Sequence, residues 1–336
     1  MPRSLLAAEV DFDQEGAQRG FIRLFHSVHR SAYGYIPIPI VVLKNGPGPT
    51  ALFVSGTHGD EYEGQIALCN LARTLTPEAI QGRVILLPAA NLPAAVAGTR
   101  TSPIDDGNLN RVFPGDPLGS VTEQIAYFIE TELVARADLV VDLHSGGSSL
   151  HYVPSALMMQ DDANPVRQAK LVAALKAFAS PISYVGHAQP GQGAVRTTSG
   201  AALRAGTLCL GSELGGSGAV TAAALRVAER GLLNVLAHLG ILPETAAVPG
   251  PTRILDVRGA DYFVYADGAG LFEPLAEPGD TVAAGQPAAR IHTPETPWAP
   301  ASLVHFARDG FVLCKRVPGR TVRGDCLFHL GTDLGW

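Results

Sequence analysis

The sequence predicts an α/β fold with a mixed, largely parallel sheet, followed by a small all-β module. Three features carry that expectation. Up to about residue 240, apolar runs of strand length alternate with longer stretches of helical period. Several of those runs, ALFVSG, RVILLP and DLVVDL, are apolar almost throughout, as strands buried on both faces of a sheet are. After Gly240 the texture changes: ILPETAAVPGPT carries three prolines in twelve residues, and no helical period persists beyond it.

Taken in order, strands are expected over 38–43, 50–55, 83–88, 139–143 and 207–210, and helices over 61–75, 121–137, 165–179 and 219–239. The helix at 165 has the plainest start signal, with Asn164 as N-cap and Pro165 in the first helical position. From about Arg253, short apolar runs (YFVYA, GLFEPL, AARIHT, SLVHFA, GFVLCKRV) are separated by Gly and Pro turns, the pattern of a small β module. The expected division is an α/β domain over 1–245 and an all-β domain over 252–336.

A length of 336 residues is of two-domain size, and 46% hydrophobic residues suffice for a sizeable core. Only 17% are charged and the formal net charge is −6, which disfavours nucleic acid as a partner. No apolar stretch approaches the roughly 18 residues of a membrane span. The start, MPRSLLAAEVDFDQEG, has one Arg and early acids and does not read as a secretory signal. Cys69, Cys209, Cys314 and Cys326 form no CxxC pair; Cys69 and Cys209 lie in apolar runs and are expected to be buried and inert. A cytoplasmic protein with neither nucleic acid nor membrane as partner is the resulting expectation, with a homo-oligomer left open.

Chemistry-bearing residues gather behind the apolar strands. SGTHGDEYEG follows ALFV and places His58 and Glu61 three apart where a strand gives way to a helix, a spacing at which both can face one centre. ADLVVDLHSGG ends a second strand in His144, and TLCLGSELGG ends a third in Glu213, each with a glycine pair close behind. Open α/β sheets form their sites just beyond the carboxyl ends of strands, and a catalytic metal takes about three protein ligands of these types. Taken singly, each has a plainer explanation. An HxxE or a lone His is more often structural, and Glu213 alone would pass for a surface or helix-start acid. The shared strand-then-glycine context points instead to a metal site, with Glu213 as general base and then proton donor to a leaving nitrogen.

AGTRTSPIDDGNLNRVFPG, too rich in Gly and Pro for a helix, concentrates Arg100, Asn110 and Arg111. A guanidinium there suits a substrate carboxylate or a developing oxyanion, against the alternative of a solvated surface arginine at Arg100. His151, seven residues past His144, and His187, in a Gly-rich loop, are weaker candidates; the remaining histidines are read as surface or packing residues.

HGDE (58–61), NLNR (108–111), DLH (142–144) and SELGG (212–216), in this order over roughly residues 50–240, resemble the succinylglutamate desuccinylase/aspartoacylase family, a branch of the zinc carboxypeptidase-like hydrolases. The resemblance implies a three-layer zinc-carboxypeptidase-like domain with one zinc ion per chain held by His58, Glu61 and His144, and Glu213 activating the attacking water. It further implies Arg100 polarising the scissile carbonyl and Arg111 with Asn110 binding the substrate carboxylate. The reaction implied is hydrolysis of a linear amide in a small N-acylated amino acid, with acetyl the favoured acyl group. Asp142 lies two before His144, on the same face of a strand, and is expected to hold a ligand or an arginine from behind.

Two alternatives stay open: a zinc carboxypeptidase acting on short peptides, and aspartoacylase or succinylglutamate desuccinylase activity. The second is weakened because the arginine with which aspartoacylase meets a side-chain carboxylate has no evident counterpart. Asp105 and Asp106 are candidates to meet a positively charged side chain on the amine product. The C-terminal part resembles the family's small barrel-sandwich-like β-domain, similar to lipoyl and biotinyl carrier folds, through EPGDTVAAGQPAARIH with Gly279, Asp280 and Gly285 at turns. Lys315, the only lysine there, lacks the flanking methionines of a carrier lysine, so a packing or pocket-capping role is expected.

Overall fold

The computed structural model describes residues 3–188 and 194–336. Its strands up to the proline-rich stretch are β1 (Ala7–Ala8), β2 (Gly16–Phe25), β3 (Tyr35–Asn45), β4 (Thr50–Ser55), β5 (Gly82–Leu87), β6 (Leu139–His144), β7 (Leu150–Tyr152), β8 (Ser155–Met159), β9 (Ile182–Gly186) and β10 (Leu208–Glu213). After it come β11 (Arg253–Val257), β12 (Phe263–Tyr265), β13 (Gly270–Pro274), β14 (Thr281–Val282), β15 (Pro287–His292), β16 (Ser302–His305), β17 (Gly310–Arg316), β18 (Arg320–Thr321) and β19 (Cys326–Asp333). The helices are α1 (Tyr62–Thr74), α2 (Leu92–Ala97), α3 (Val121–Phe128), α4 (Pro165–Phe178), α5 (Thr198–Ala205) and α6 (Ala222–His238).

A mixed sheet runs through the molecule in the order β1-β2-β3-β5-β4-β6-β10-β8-β9-β11-β19-β17-β14. Its centre, β5-β4-β6-β10, is parallel, and β8 runs antiparallel to β10. The central strands are apolar on both sides because helices cover both. Phe53, Val141 and Leu210 pack in one core with Leu68 of α1, Leu175 of α4 and Leu232 of α6. Their neighbours Leu52, Val140 and Cys209 face the opposite core, with Phe128 of α3 and Ala202 of α5. Among the described residues no helix is long and apolar enough to cross a membrane.

Differences from expectation have local causes. The strand expected over 38–43 runs from Tyr35 to Asn45 despite Pro37 and Pro39. There β3 pairs only with β2, since its pairing to β5 begins at Val41, so the prolines remove no ladder bond. The helix expected over 121–137 is α-helical only to Phe128, then passes through a π turn at Ile129–Leu133 and a 3-10 turn at Val134–Arg136. Cys209 is buried as expected, but Cys69 is exposed. The inward stripe of α1 is Gly64, Ala67, Leu68 and Leu71, which turns position 69 to solvent.

Beyond Gly250 the regular elements are strands and one 3-10 turn, including a second sheet in the order β16-β15-β13-β18. These residues are joined to the rest by more than a linker. β11 pairs in parallel with β9, and β17 pairs with β7. Their apolar core, which holds Leu255, Val312 and Phe328, also takes in Tyr152, Ile182 and Tyr184.

Candidate active site

The three strands that carry the expected residues end side by side. Ser55 lies across from Leu143, and Glu213 directly across from His144. Alternate residues of β6 face opposite sides, so Asp142 and His144 share the face of Val140. Glu213 shares the matching face of β10 with Cys209, and Val140 and Cys209 belong to one core. Past β4 the chain turns through Gly56 at φ +65°. It then presses Gly59 against α2, where a Cβ would meet the Ala94 carbonyl at 2.0 Å. That close approach sets His58 and Glu61, the residue that precedes α1, over the end of β6.

His58, Glu61 and His144 form one cluster whose ligating atoms lie within 4.8 Å of one another. His58 Nδ1 is 2.7 Å from Glu61 Oε1, and His144 Nδ1 is 2.8 Å from Glu61 Oε2. Each outer nitrogen is pinned from behind: His144 Nε2 by Asp142 Oδ2 at 2.9 Å, His58 Nε2 by Asn108 Oδ1 at 3.2 Å. Asn108 Oδ1 also accepts from the Asn110 backbone N–H at 3.1 Å, so it is an acceptor and the nitrogen facing it carries the proton. A neutral imidazole has one N–H. With that proton at Nε2, each Nδ1 turns a lone pair toward Glu61. Two lone pairs and a carboxylate at this distance need a cation, or extra protons, between them. The donor set is that of a His/His/Glu metal centre with a position left open, and both histidines have the rear support such ligands use.

The charges follow from the same contacts. Burial would raise the Glu61 carboxyl, but the two histidines outweigh it and hold it well below the usual carboxylate range. Burial would lower His144, yet Asp142 and Glu61 lift it well above its ordinary value, whereas for His58 burial prevails and the shift is downward. Glu213 goes the other way from Glu61. Burial first, then repulsion from Glu61, push it well up, and its Oε2 has no hydrogen-bond partner among the described residues.

Arg100 enters from the open side, with Nη1 3.3 Å from Glu61 Oε1 and 3.4 Å from His58 Nδ1. Arg111 donates to the Asn110 carbonyl at 2.7 Å, and burial and the nearby Arg100 both disfavour its charge. Among the described residues no carboxylate pairs with Arg111. Asn110 accepts from the Thr198 N–H at 3.0 Å and holds Nδ2 3.2 Å from His144 Nε2. His58, Glu61, His144, Asp142, Glu213, Arg100, Asn110 and Arg111 thus share one neighbourhood.

Other candidates are engaged elsewhere. Asp105 accepts from Thr122 N and Oγ1 at 2.7 and 2.8 Å, a cap on the start of α3 rather than a substrate contact. Asp106 is exposed. His151 bonds Ser217 Oγ at 3.0 Å, and His187 bonds Asp256 Oδ1 at 2.8 Å; residues 189–193 of the loop after His187 lie outside the described residues. Lys315 Nζ pairs with both Glu277 oxygens at 2.7 and 2.6 Å. Sequence reasoning missed the partners behind the cluster: Asn108, Thr57, whose hydroxyl donates to Asp142 Oδ1 at 3.0 Å, and Thr198. Asn108 was legible as the first residue of NLNR; Thr198 lies 88 residues from Asn110 and belongs to no motif.

Residues 47–239 match the family model of the succinylglutamate desuccinylase/aspartoacylase catalytic domain. The N-alpha-acetyl-L-2,4-diaminobutyric acid deacetylase of Halomonas elongata is 41% identical over 326 residues, 96% of this chain and 94% of that protein. A product-bound structure of the ectoine utilization protein EutE (DoeB) from Ruegeria pomeroyi superposes with a TM-score of 0.93 at 40% identity, covering 99% of this chain and 100% of that one. A succinylglutamate desuccinylase/aspartoacylase from Rhodobacter sphaeroides gives 0.91 at 41% identity, covering 98% and 100%. The four ordered motifs and the cluster they build therefore have a plain context: the chain belongs to the succinylglutamate desuccinylase/aspartoacylase family, hydrolases of linear amide bonds.

Proposed function

We propose that the protein is a zinc-dependent deacetylase, with one zinc per chain, that hydrolyses N-acetyl-L-2,4-diaminobutyrate to acetate and the free diamino acid. The observation that carries this is the convergence of the His58 and His144 Nδ1 atoms on Glu61, with both outer nitrogens pinned and Glu213 in register beside His144. The substrate is supported by the named activity of the Halomonas relative, whose likeness spans nearly the whole of both chains. When bound, zinc supplies a Lewis acid for the amide carbonyl and brings the pKa of a water from ~15.7 to about 7.

The protein's own residues do the rest. Glu213 takes a proton from the attacking water as its oxygen bonds to the acetyl carbon, and returns that proton to the nitrogen as the C–N bond breaks. Arg100, with its guanidinium toward the cluster, faces the carbonyl oxygen as negative charge develops there. Arg111 and the Asn110 amide hold the α-carboxylate, a role that suits an exposed guanidinium that pairs with no carboxylate among the described residues. Asp142 and Asn108 keep both imidazoles in the tautomer that faces inward.

The test is a substrate panel of acetyl, succinyl and formyl amino acids and short dipeptides, assayed with zinc restored. Acetyl-diaminobutyrate is expected to give the highest kcat/KM. Faster turnover of dipeptides would replace this reading with a carboxypeptidase, and a preference for succinylglutamate or acetylaspartate with one of the family's other activities.

A further inference from the structure

Two residues separate His58 from Glu61, and each ties the turn they share to a different neighbour. Gly59 lies against α2, and its N–H donates to the Thr99 carbonyl at 2.9 Å. Asp60 is buried and reaches the other way, to the turn that follows His144. Its Oδ2 accepts from the Ser148 N–H at 2.8 Å and from Ser148 Oγ at 2.7 Å. Gly147 makes that approach possible: it sits at φ +55°, and a Cβ there would come within 2.7 Å of Asp60 Oδ2.

The turn that Asp60 holds is itself part of the site. Its first residue, Ser145, directs its N–H at Glu61 Oε2, 3.3 Å away. Its Gly147 carbonyl accepts from the Gly218 N–H at 2.8 Å, in the turn after Glu213. One carboxylate oxygen therefore joins the segment that carries His58 and Glu61 to the turn behind His144. Those segments are 84 to 88 residues apart in the chain. The three ligands keep their atoms within 4.8 Å of one another only while the two segments keep their spacing. The other oxygen of Asp60, Oδ1, is buried and has no hydrogen-bond partner among the described residues.

We propose that Asp60 is a positioning residue for the metal: through Ser148 it fixes the His58–Glu61 turn against the turn behind His144, and so sets the spacing of the three ligands. The proposal rests on the zinc-deacetylase reading, and the two can fail separately. The contact uses the carboxylate as an acceptor only, so an amide can replace it. In Asp60→Asn the amide oxygen can meet both Ser148 donors, with the NH2 where Oδ1 has no partner. That unpaired NH2 lowers stability but leaves the contact intact. Asp60→Ala removes the contact, and Ser148→Ala removes one of its two donors.

Zinc dissociation constants come from competition with a chelating dye, and the stability of the metal-free protein from urea unfolding. Asp60→Ala is expected to weaken zinc about tenfold, the lower end for residues that support metal ligands. Ser148→Ala should weaken it about threefold, the loss of one hydrogen bond of modest net value. Asp60→Asn should bind zinc as wild type does, even where its metal-free form unfolds more readily. The double alanine variant should bind no more weakly than Asp60→Ala, because the Ser148 hydroxyl has already lost its acceptor. A general packing role would lower the unfolding free energy and leave the zinc affinity of the folded protein unchanged. Wild-type zinc affinity in Asp60→Ala therefore overturns the proposal, as it does in Ser148→Ala should the first variant not fold. An Asn variant as weak as the alanine one would assign the effect to charge, and additive losses in the double variant would separate Asp60 from Ser148; either overturns the brace. A wild-type protein that binds no zinc, or does not hydrolyse acetyl-diaminobutyrate, instead overturns the reading beneath.

Discussion

Glu61 is buried just before α1 and Glu213 is half-buried at the end of β10, and their surroundings shift the two carboxyls in opposite directions. Glu61 lies between two imidazoles that hold its carboxyl well below the usual carboxylate range; burial, and then the charge of Glu61, push Glu213 well up, and among the described residues its Oε2 has no hydrogen-bond partner. A cation bound beside Glu61 would offset the second cause of that shift and leave the first, burial, in place. Glu213→Gln is expected to lower kcat by about 10²–10⁴-fold while zinc stoichiometry, read by elemental analysis, stays at one per chain. Arg100→Ala should cost about 10²–10³ in kcat with little change in metal content, the loss typical for a donor to a developing oxyanion. Either variant with wild-type kcat removes that residue from the chemistry. His144 is raised well above its ordinary value before metal enters. A metal ion bound there would have to displace that proton, so its apparent affinity should rise with pH up to the raised pKa and fall below it. Calorimetry in buffers of different ionisation enthalpy should detect the proton release.

At the scale of elements, the site is made by the turns that follow three strands, and each is stitched to another. Gly215 O accepts from Gly146 N at 3.1 Å and from Tyr152 N at 2.8 Å, so the turn after Glu213 is tied to the turn after His144 and to β7. Gly216 sits at φ +128°, and a Cβ there would meet Leu150 O at 2.2 Å. Gly216→Ala combines backbone strain with a clash against backbone that cannot yield. It is expected to lower unfolding free energy by at least about 2 kcal/mol and to depress kcat. Gly240, at φ +74° with nothing within 4 Å of its would-be Cβ, is the control. Gly240→Ala should cost only about 1 kcal/mol, the strain of the left-handed conformation, with kcat unchanged. Equal losses by urea unfolding would show that conformation alone, and not the close approach, made Gly216 necessary.

For the molecule as a whole, residues beyond Gly250 pack against the two tyrosines that lie near Glu213. His329 of β19 stacks on Phe263 at 4.4 Å with 8° between the planes, and stands edge-on to Tyr152 and Tyr184. Those two tyrosines are close enough to Glu213 to feel its charge, although burial is the larger cause of their raised pKa values. Burial pushes the His329 imidazole down to about 3, against about 6.5 in an unfolded chain. Between those values the unfolded state binds a proton that the folded state refuses. Stability is therefore whole above about pH 6.5 and is lost as pH falls toward 3, by several kcal/mol at full protonation. His329→Phe keeps the stack and deletes the titration. Its melting temperature should fall less steeply than wild type between pH 6.5 and 4; parallel curves would assign the acid sensitivity to other groups.

How much of this was legible in the sequence differs by feature. Alternation of fully apolar runs with helical periods determined the α/β class, because strands buried on both faces leave no other composition. The HxxE spacing and the acid or histidine before glycine turns determined the ligand candidates, because residues three apart at a helix start, or at a strand's last position, are brought together locally. Cys69 went the wrong way because an apolar run does not say which face of a helix is wet. Asp105 attracted attention by position alone, and only the fold revealed that α3 needs it as a cap. Thr198, Tyr152 and His329 carry no motif, since their partners are 88 to 177 residues away. The sequence by itself thus determined the chemistry of the donor set. Tertiary structure decided its charge, its tautomers and its enclosure, because those depend on burial and on partners that only the folded sheet brings within hydrogen-bond reach.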